Sequence, residues 1–261
     1  MLESIGGFPE APITMVGQPM DFSGTTELGL YASSTTQRHA CGRRALGPDG
    51  SVYRYCKATT ALTSTSLGAS TLNSGEAVVA YEALGYANAI GDMKMILPQG
   101  SITKNQVAGG WVVVHRAAGA AIIRRVVAND ATVGSYTTIY LDSPIDVALT
   151  TSDYYDLYPN VYADTDQANH GGALPFLGVP LTIAAINAFY WLRTYGPVFI
   201  ACQDGVGGTL SGRQVYWRHD GSIDILGDVA AYDYVTDQIA GYCLIGSKAG
   251  DGPIIMLQCG I

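Results

Sequence analysis

The chain has 261 residues, of which 48% are hydrophobic, only 14% are charged and 32 are glycine. This length predicts one large or two modest domains, and the composition favours many short strands joined by turns over long amphipathic helices. The formal net charge of −8 argues against a nucleic-acid partner, because an acidic surface repels phosphate and gains nothing from counterion release.

The N-terminal segment predicts an extended arm over residues 1–35. It is rich in Pro, Gly, Ser and Thr, has few periodic apolar positions and lacks the basic start and continuous apolar run of a signal peptide. We expect such an arm to become ordered mainly by lying along a partner.

The five cysteines are widely spaced and form no C-x-x-C pair, which favours reduced, mostly buried thiols in a protein made in a reducing cytosol.

Residues 36–165 are predicted to form a first β-rich domain. Its first part, 36–60, contains "RRALGPDGSVYRYCKA", where Pro-Asp-Gly marks the turn of a hairpin. A Ser/Thr-rich connector follows at 61–75. The segments "GGWVVVHRA", "AAIIRRVVAN", "YTTIYLDSPIDVAL" and "DYYDLYPNVYADT" then predict successive strands separated by turn signals.

The densest polar cluster, "ADTDQANHGG", follows these strands. Asp164, Asp166 and His170 are the metal-ligand candidates, since carboxylates and imidazole are common ligands. The spacing fails the EF-hand pattern, because Ala168 stands where a ligand is required and no Glu follows at the twelfth position. A solvated linker between two β-rich blocks is the favoured interpretation, and the sequence predicts no metal.

Residues 166–261 are predicted to form a second β-rich domain, which contains the apolar stretch "FLGVPLTIAAINAFYWLRTYGPVFIAC". A membrane helix is excluded because glycine, proline, Asn187 and Arg193 interrupt the stretch and β-branched and aromatic residues dominate it. Gly196-Pro197 predicts a break into separate strands. In "FYWLRTYG", period-two alternation predicts a strand that is covered on both faces, by a core on one side and by another layer or subunit on the other.

After this stretch, the segments "RQVYWRHDG", "SIDILG", "QIAGYCLIGSKAG" and "GPIIMLQCGI" predict further strands, and "DVAAYDYVTDQI" predicts either a short helix or a loop. The whole chain is therefore predicted to be all-β, with two antiparallel modules of sandwich or barrel type.

No specific catalytic motif is present in the sequence. "GTLSG" has the wrong order for a serine nucleophile elbow, and "GVGGTLSG" lacks the lysine of a P-loop. Asp153 and Asp156 could form the carboxylate pair of a glycosidase, but acidic residues are common in turns of this kind. The sequence therefore predicts a protein that is not an enzyme and that has no cofactor.

Five segments, taken in order, resemble structural proteins from the head-gene region of tailed phages. They are "LGPDGSVYRYCKA", "ITKNQVAGGWVVV", "IIRRVVAN", "TTIYLDSPIDVALTTSDYYDLYPNVY" and "GVPLTIAAINAFYWLRTYGPVFI", which together span about residues 45–202. The family comprises capsid decoration, cement and head-fibre proteins. The resemblance implies a β-rich, usually oligomeric exterior protein that docks on the major capsid protein without catalytic residues; the long arm before Ala45 and the cysteine content depart from it.

The leading hypothesis is thus a virion protein on the capsid exterior that stabilises a phage head, with the major capsid protein as partner and no nucleic acid or membrane bound. A tail or receptor-binding virion protein is the first alternative, and a β-sandwich carbohydrate-active enzyme is the second. Exposed aromatic area predicts a homo-oligomer, with a trimer favoured. The predicted interface residues are Phe189, Trp191, Arg193, Tyr195, Tyr154, Tyr155 and Tyr158.

Overall fold

The computed structural model describes residues 14–15, 29–72, 78–117, 119–167, 174–202, 205–207, 213–225, 235–247 and 252–259. Within these residues the regular elements are strands and a single 3-10 turn at Val161–Ala163. The prediction of an all-β chain with two antiparallel modules is confirmed. The predicted arm falls mostly outside the described residues, as does most of the segment predicted to be a helix or a loop.

The strands are numbered in chain order, and their bounds are β1 (Thr14–Met15), β2 (Arg44–Leu46), β3 (Val52–Lys57), β4 (Ala69–Thr71), β5 (Val79–Ala83), β6 (Lys94–Leu97), β7 (Trp111–His115), β8 (Ile122–Asn129), β9 (Thr137–Leu141), β10 (Tyr154–Tyr158), β11 (Thr165–Asp166), β12 (Phe176–Pro180), β13 (Phe189–Phe199), β14 (Gln214–Arg218), β15 (Ile223–Asp224), β16 (Val235–Ile245) and β17 (Ile254–Gln258).

The chain divides into two compact units. Unit 1 comprises Met1–Leu72 and Asp164–Ile261, and unit 2 comprises Asn73–Ala163. This division differs from the expected one, because the hairpin of β2 and β3 belongs with the C-terminal half of the chain. The cause is that β3 pairs with β13 along its whole length, so residues more than a hundred positions apart share one sheet.

The two chain segments of unit 1 are hydrogen-bonded to each other where unit 2 interrupts them. Thr71 on β4 pairs with Thr165 on β11, and the Leu72 amide donates to the Asp164 carbonyl over 2.9 Å. The strand β4 lies inside the segment predicted to be a polar connector.

Unit 1 is built on one sheet with the order β1-β2-β3-β13-β17-β16-β14-β15, to which β12, β4 and β11 are added beside β13. The predicted hairpin is confirmed, since β2 pairs antiparallel with β3 across the Pro-Asp-Gly turn. The core of this unit includes the inward-facing residues Val198, Ile255, Leu257, Val215 and Trp217.

The strand β13 runs unbroken through Gly196-Pro197, where the sequence predicted a break. Gly196 adopts a positive φ of 115° and packs against Ser51, whose Oγ would lie 2.3 Å from an added Cβ. Pro197 lies beyond Tyr195, the last residue that pairs with β3, and faces Met256 on β17. The Gly-Pro pair therefore marks the point where β13 loses one partner strand and remains paired with the other.

The first half of β13 is covered on both faces within its own chain. Trp191 is 1% exposed and packs edge-on against Tyr55 of β3, with ring centroids 5.2 Å apart. His39, from the segment before β2, lies 5.5 Å from Trp191 and 5.1 Å from Tyr55. The backbone of Ser34 exchanges two hydrogen bonds with that of Phe189. The covering layer that the alternation predicted is thus supplied by residues 34–57.

Unit 2 is a six-stranded antiparallel sheet with the order β5-β10-β7-β8-β9-β6. Alternate side chains enter its core, as on β7, where Val112 and Val114 are buried while Trp111 is exposed. The core also includes Met95, Leu97, Val126, Ile139, Leu141, Tyr155 and Leu157. The strands predicted from residues 110–158 are confirmed.

We expect Trp191→Ala to lower the free energy of unfolding by about 3–5 kcal/mol, because it leaves a cavity among rings that cannot close around it. Phe199→Ala, on the same face of the same strand but 47% exposed, should cost less than about 1 kcal/mol. Urea denaturation followed by circular dichroism measures both. Equal losses for the two variants would contradict the division of β13 into a buried half and an exposed half.

The stability of unit 1 should decrease as the pH falls below about 6.5, the usual pKa of histidine. Burial, together with the neighbouring Arg43, lowers the pKa of His39, whose Nδ1 accepts a hydrogen bond from Arg43 Nη1 at 3.1 Å. The unfolded chain therefore binds the proton more readily, so the stabilisation is complete above pH 6.5 and is lost as the pH falls through the folded-state pKa.

The measurement is the urea midpoint of the parent and of His39→Gln between pH 7.5 and pH 5. Because glutamine can accept from Arg43 without titrating, the parent should lose more stability than the variant. Parallel curves would contradict the prediction.

Candidate interaction surfaces

The acidic metal candidates are bound by hydroxyl groups of the chain itself. Thr59 Oγ1 donates to Asp164, and Thr60 Oγ1 donates to Asp166. Burial and the neighbouring Asp166 raise the pKa of Asp164, while Lys57 opposes them. His170 lies outside the described residues, and no cluster of three metal-ligating side chains occurs in the part of the chain that the structure describes.

Asp153 and Asp156 have different hydrogen-bond partners. Asp153 is buried and accepts hydrogen bonds from the amides of Thr150 and Ala117, at 2.7 and 2.8 Å. Burial alone would raise the pKa of Asp153, but these hydrogen bonds outweigh it and lower the pKa. Asp156 instead belongs to the outer face of unit 2, where its carboxylate binds His115. The two carboxylates therefore have separate structural partners.

The interface residues predicted on β13 differ in how deeply they are buried. Phe189 and Trp191 are buried inside unit 1. Arg193 lies over the Tyr53 ring, with its guanidinium carbon 5.3 Å from the centroid, and donates to the Tyr53 hydroxyl at 3.0 Å. Tyr195 is half-buried and lies where the outer face of the strand begins to meet solvent.

Beyond Tyr195 the outer side of unit 1 presents an exposed apolar surface, which we call the apolar face. Its rows are fixed by strand register: Pro197 lies opposite Met256, which lies opposite Tyr242. The residues of the apolar face are Pro197, Phe199, Ile239, Tyr242, Ile245, Ile254 and Met256.

The seven residues of the apolar face carry no formal charge, and the next row is Tyr195 opposite Gln258. Arg193, one outward position farther along β13, borders the face and donates to the Pro197 carbonyl. A bulge in β16 keeps Ile239 and Tyr242 both outward while Ala240 enters the core. Contiguous apolar surface on the outside of a protein is typical of interaction sites.

Unit 2 carries a different outer surface, which we call the aromatic platform. It consists of Tyr81 on β5, Tyr154, Asp156 and Tyr158 on β10, and Trp111 and His115 on β7. In the sheet register Tyr158 lies opposite Trp111, and Tyr154 lies opposite His115. Tyr81 stacks on Tyr154 with centroids 4.6 Å apart and planes 8° from parallel.

Asp156 organises the aromatic platform from its centre. Its Oδ1 accepts the Tyr81 amide at 2.6 Å, and its Oδ2 lies 2.7 Å from His115 Nε2 and 3.4 Å from the Tyr158 hydroxyl. Burial alone would raise the pKa of Asp156, but the bonds from His115 and the Tyr81 amide outweigh it and lower the pKa. One carboxylate therefore binds the Tyr81 backbone, the His115 ring and the Tyr158 hydroxyl.

Two backbone features support this arrangement. Tyr81 adopts a φ of +50°, which is uncommon for a bulky side chain and costs about 1–3 kcal/mol. Gly110 allows the chain before β7 to approach β10, because a Cβ there would lie 2.1 Å from the Tyr158 carbonyl oxygen. The strained backbone at Tyr81 and the close contact between Gly110 and β10 both occur beside the exposed rings.

Sequence reasoning identified part of the aromatic platform. Tyr154 and Tyr158 were predicted interface residues and lie on it, whereas Tyr155 points inward, is buried, and has a hydroxyl 3.0 Å from Gln99 Nε2. Tyr81, Trp111 and His115 were missed. The alternation in "GGWVVVH" places Trp111 and His115 on one face, but no signal along the chain indicates that β7 lies beside β10.

Comparisons with family models, with curated proteins and with solved structures found no match to this chain. Among the described residues, no helix has the length and apolar character that crossing a bilayer requires.

Asp156→Ala should loosen the aromatic platform and lower the stability of unit 2 by about 1–3 kcal/mol, because the Tyr81 amide loses a charged acceptor while its backbone stays strained. Hydrogen exchange of the Tyr81 amide should accelerate. Asp146→Ala is the matched control, since that carboxylate is 71% exposed in its ion pair with Arg124 and should change stability by no more than about 0.5 kcal/mol. Unchanged exchange at Tyr81 in Asp156→Ala would refute the role given to Asp156.

Proposed function

We propose that this chain is a virion structural protein that decorates the exterior of a phage capsid and stabilises it by binding across major capsid protein subunits. The observation that carries the proposal is the apolar face: its seven residues are uncharged, partly or fully exposed, and lie on a continuous antiparallel sheet. Desolvating these seven side chains against another protein buries no charged group among them.

The order of the five segments that resemble head proteins supports the capsid as the partner. The composition adds to this support, because a chain with a formal net charge of −8 is repelled by the packaged genome and is suited to the outer side of the shell. The homotrimer expected from the sequence stays a prediction.

Stabilisation follows from binding only the assembled shell. A ligand at a hundredfold excess over its Kd stabilises the bound state by roughly 3 kcal/mol per site. A protein that contacts two subunits at once resists their separation, and many such sites act together on one head. Neither a cofactor nor a catalytic group takes part in this mechanism.

The first alternative, a tail or receptor-binding virion protein, is distinguished by copy number, because a decoration protein is present at the high copy number that shell symmetry sets. The second alternative, a carbohydrate-active enzyme, is distinguished by turnover of a substrate, which replacement of Asp153 or Asp156 would abolish.

The test uses heads that lack this chain, to which the purified chain is added back. We expect the parent chain to cosediment with heads and to raise the temperature at which a DNA-binding dye gains access to the genome. Tyr242→Lys and Met256→Lys place a charge on the apolar face and should weaken binding at least tenfold. Ile183→Lys, which replaces an exposed residue outside that face, should bind as the parent does.

If decorated and undecorated heads release DNA at the same temperature, the stabilising role is wrong and receptor binding becomes the better hypothesis. If the two face variants bind heads as well as Ile183→Lys does, the apolar face is not the docking surface.

A further inference from the structure

Tyr81, Tyr154 and His115 of the aromatic platform contact one another although the platform contributes little to a core. Trp111 is 49% exposed and Tyr81 is 63% exposed, so neither gains the stabilisation of full burial. Tyr81 nevertheless adopts a strained backbone conformation, and Asp156 binds its amide and fixes His115 beside it. Strain and ordered side chains at an exposed surface are typical of a preorganised binding site.

The outer side of unit 2 at the aromatic platform combines rings and polar groups with the aliphatic side chains of Val113, Ile123 and Val127. Tyr158 and Trp111 are paired in the register of the neighbouring strands β10 and β7 and are both on the outer side of the sheet. Arg125 on β8 lies opposite Trp111 on the other side. Tyrosine and tryptophan combine an apolar body with a polar tip.

A sugar ring has a matching surface, because its C–H face stacks on an aromatic ring while its hydroxyl groups point sideways toward polar side chains. On the aromatic platform those polar groups are the hydroxyls of Tyr154 and Tyr158, the imidazole of His115 and the guanidinium of Arg125. The Asp156 carboxylate is already bound by His115 and the Tyr81 amide, so it does not repel a neutral ligand.

We propose that the aromatic platform is a binding site for a neutral polysaccharide, with Trp111 and Tyr158 as the stacking rings. Nucleobases also stack on exposed rings, but single strands require a positively charged groove, and this chain is acidic overall. A protein partner is favoured less, because the platform interleaves Asp156, His115 and Arg125 with its rings, whereas the seven residues of the apolar face of unit 1 are all uncharged. This site does not depend on capsid binding, so either proposal can fail without the other.

The test is affinity electrophoresis of the full chain in native gels that contain hydroxyethyl cellulose, dextran, mannan or galactan, with dextran sulfate as the anionic comparison. At least one neutral polysaccharide should retard the parent chain. Trp111→Ala and Tyr158→Ala should raise the polysaccharide concentration for half-maximal retardation at least tenfold. Tyr140→Ala, which removes an exposed ring on β9 of the same sheet, should behave as the parent does.

Tyr81→Asn separates binding from folding, since asparagine tolerates a positive φ and the variant removes only the ring. Its thermal unfolding should occur at the parent's temperature or above, because the strain is relieved, while its retardation decreases. Three results would overturn the proposal: no retardation by any of the four neutral polysaccharides, retardation by dextran sulfate alone, or equal retardation of Trp111→Ala and the parent. Sedimentation tests a protein contact instead. If the parent binds no polysaccharide and Trp111→Ala loses self-association, the surface is a contact between copies of the chain.

Discussion

The pairing of β3 with β13 is the interaction on which unit 1 depends. It joins residues 52–57 to residues 189–195 in register, and it creates the surface on which Trp191, Tyr55 and His39 pack. Closing so long a loop costs conformational entropy that is recovered only once the aromatic side chains are buried. Burial of the ring cluster formed by Trp191, Tyr55 and His39 offsets that cost. From the other edge of β13, β17 and then β16 extend the sheet.

One strand thereby serves two purposes along its length. The odd-numbered side chains of β13 begin as a buried aromatic layer, pass through Arg193 over Tyr53, and end at Phe199 on the apolar face. The change occurs at Gly196-Pro197, where pairing with β3 has ended. The burial of the first half fixes the second half in place, so the apolar face is presented by a rigid strand rather than by a loop.

Local patterns predicted most of the strands, and non-local contacts explain what they missed. The alternation of Val112 and Val114 with Trp111 was sufficient to predict β7, and Pro-Asp-Gly was sufficient to predict the hairpin before residue 60. The placement of that hairpin in unit 1 could not be predicted, because it depends on a partner strand far along the chain. The aromatic platform was predicted only in part for the same reason, because its rings come from three strands that are distant in sequence. The positive φ of Tyr81 could not be predicted either, since tyrosine rarely adopts it.

The hydrogen-bonded junction between β4 and β11 makes unit 2 resemble an oversized loop. The chain leaves unit 1 after Leu72 and re-enters at Asp164, and these two residues are already joined by a backbone hydrogen bond. A junction of this geometry accepts inserted segments of very different lengths, since its two ends are held together independently of the segment between them. Unit 2 is therefore suited to exchange as a cassette: a short turn could replace it, and a foreign domain with neighbouring termini could be grafted in its place while the sheet of unit 1 keeps its register.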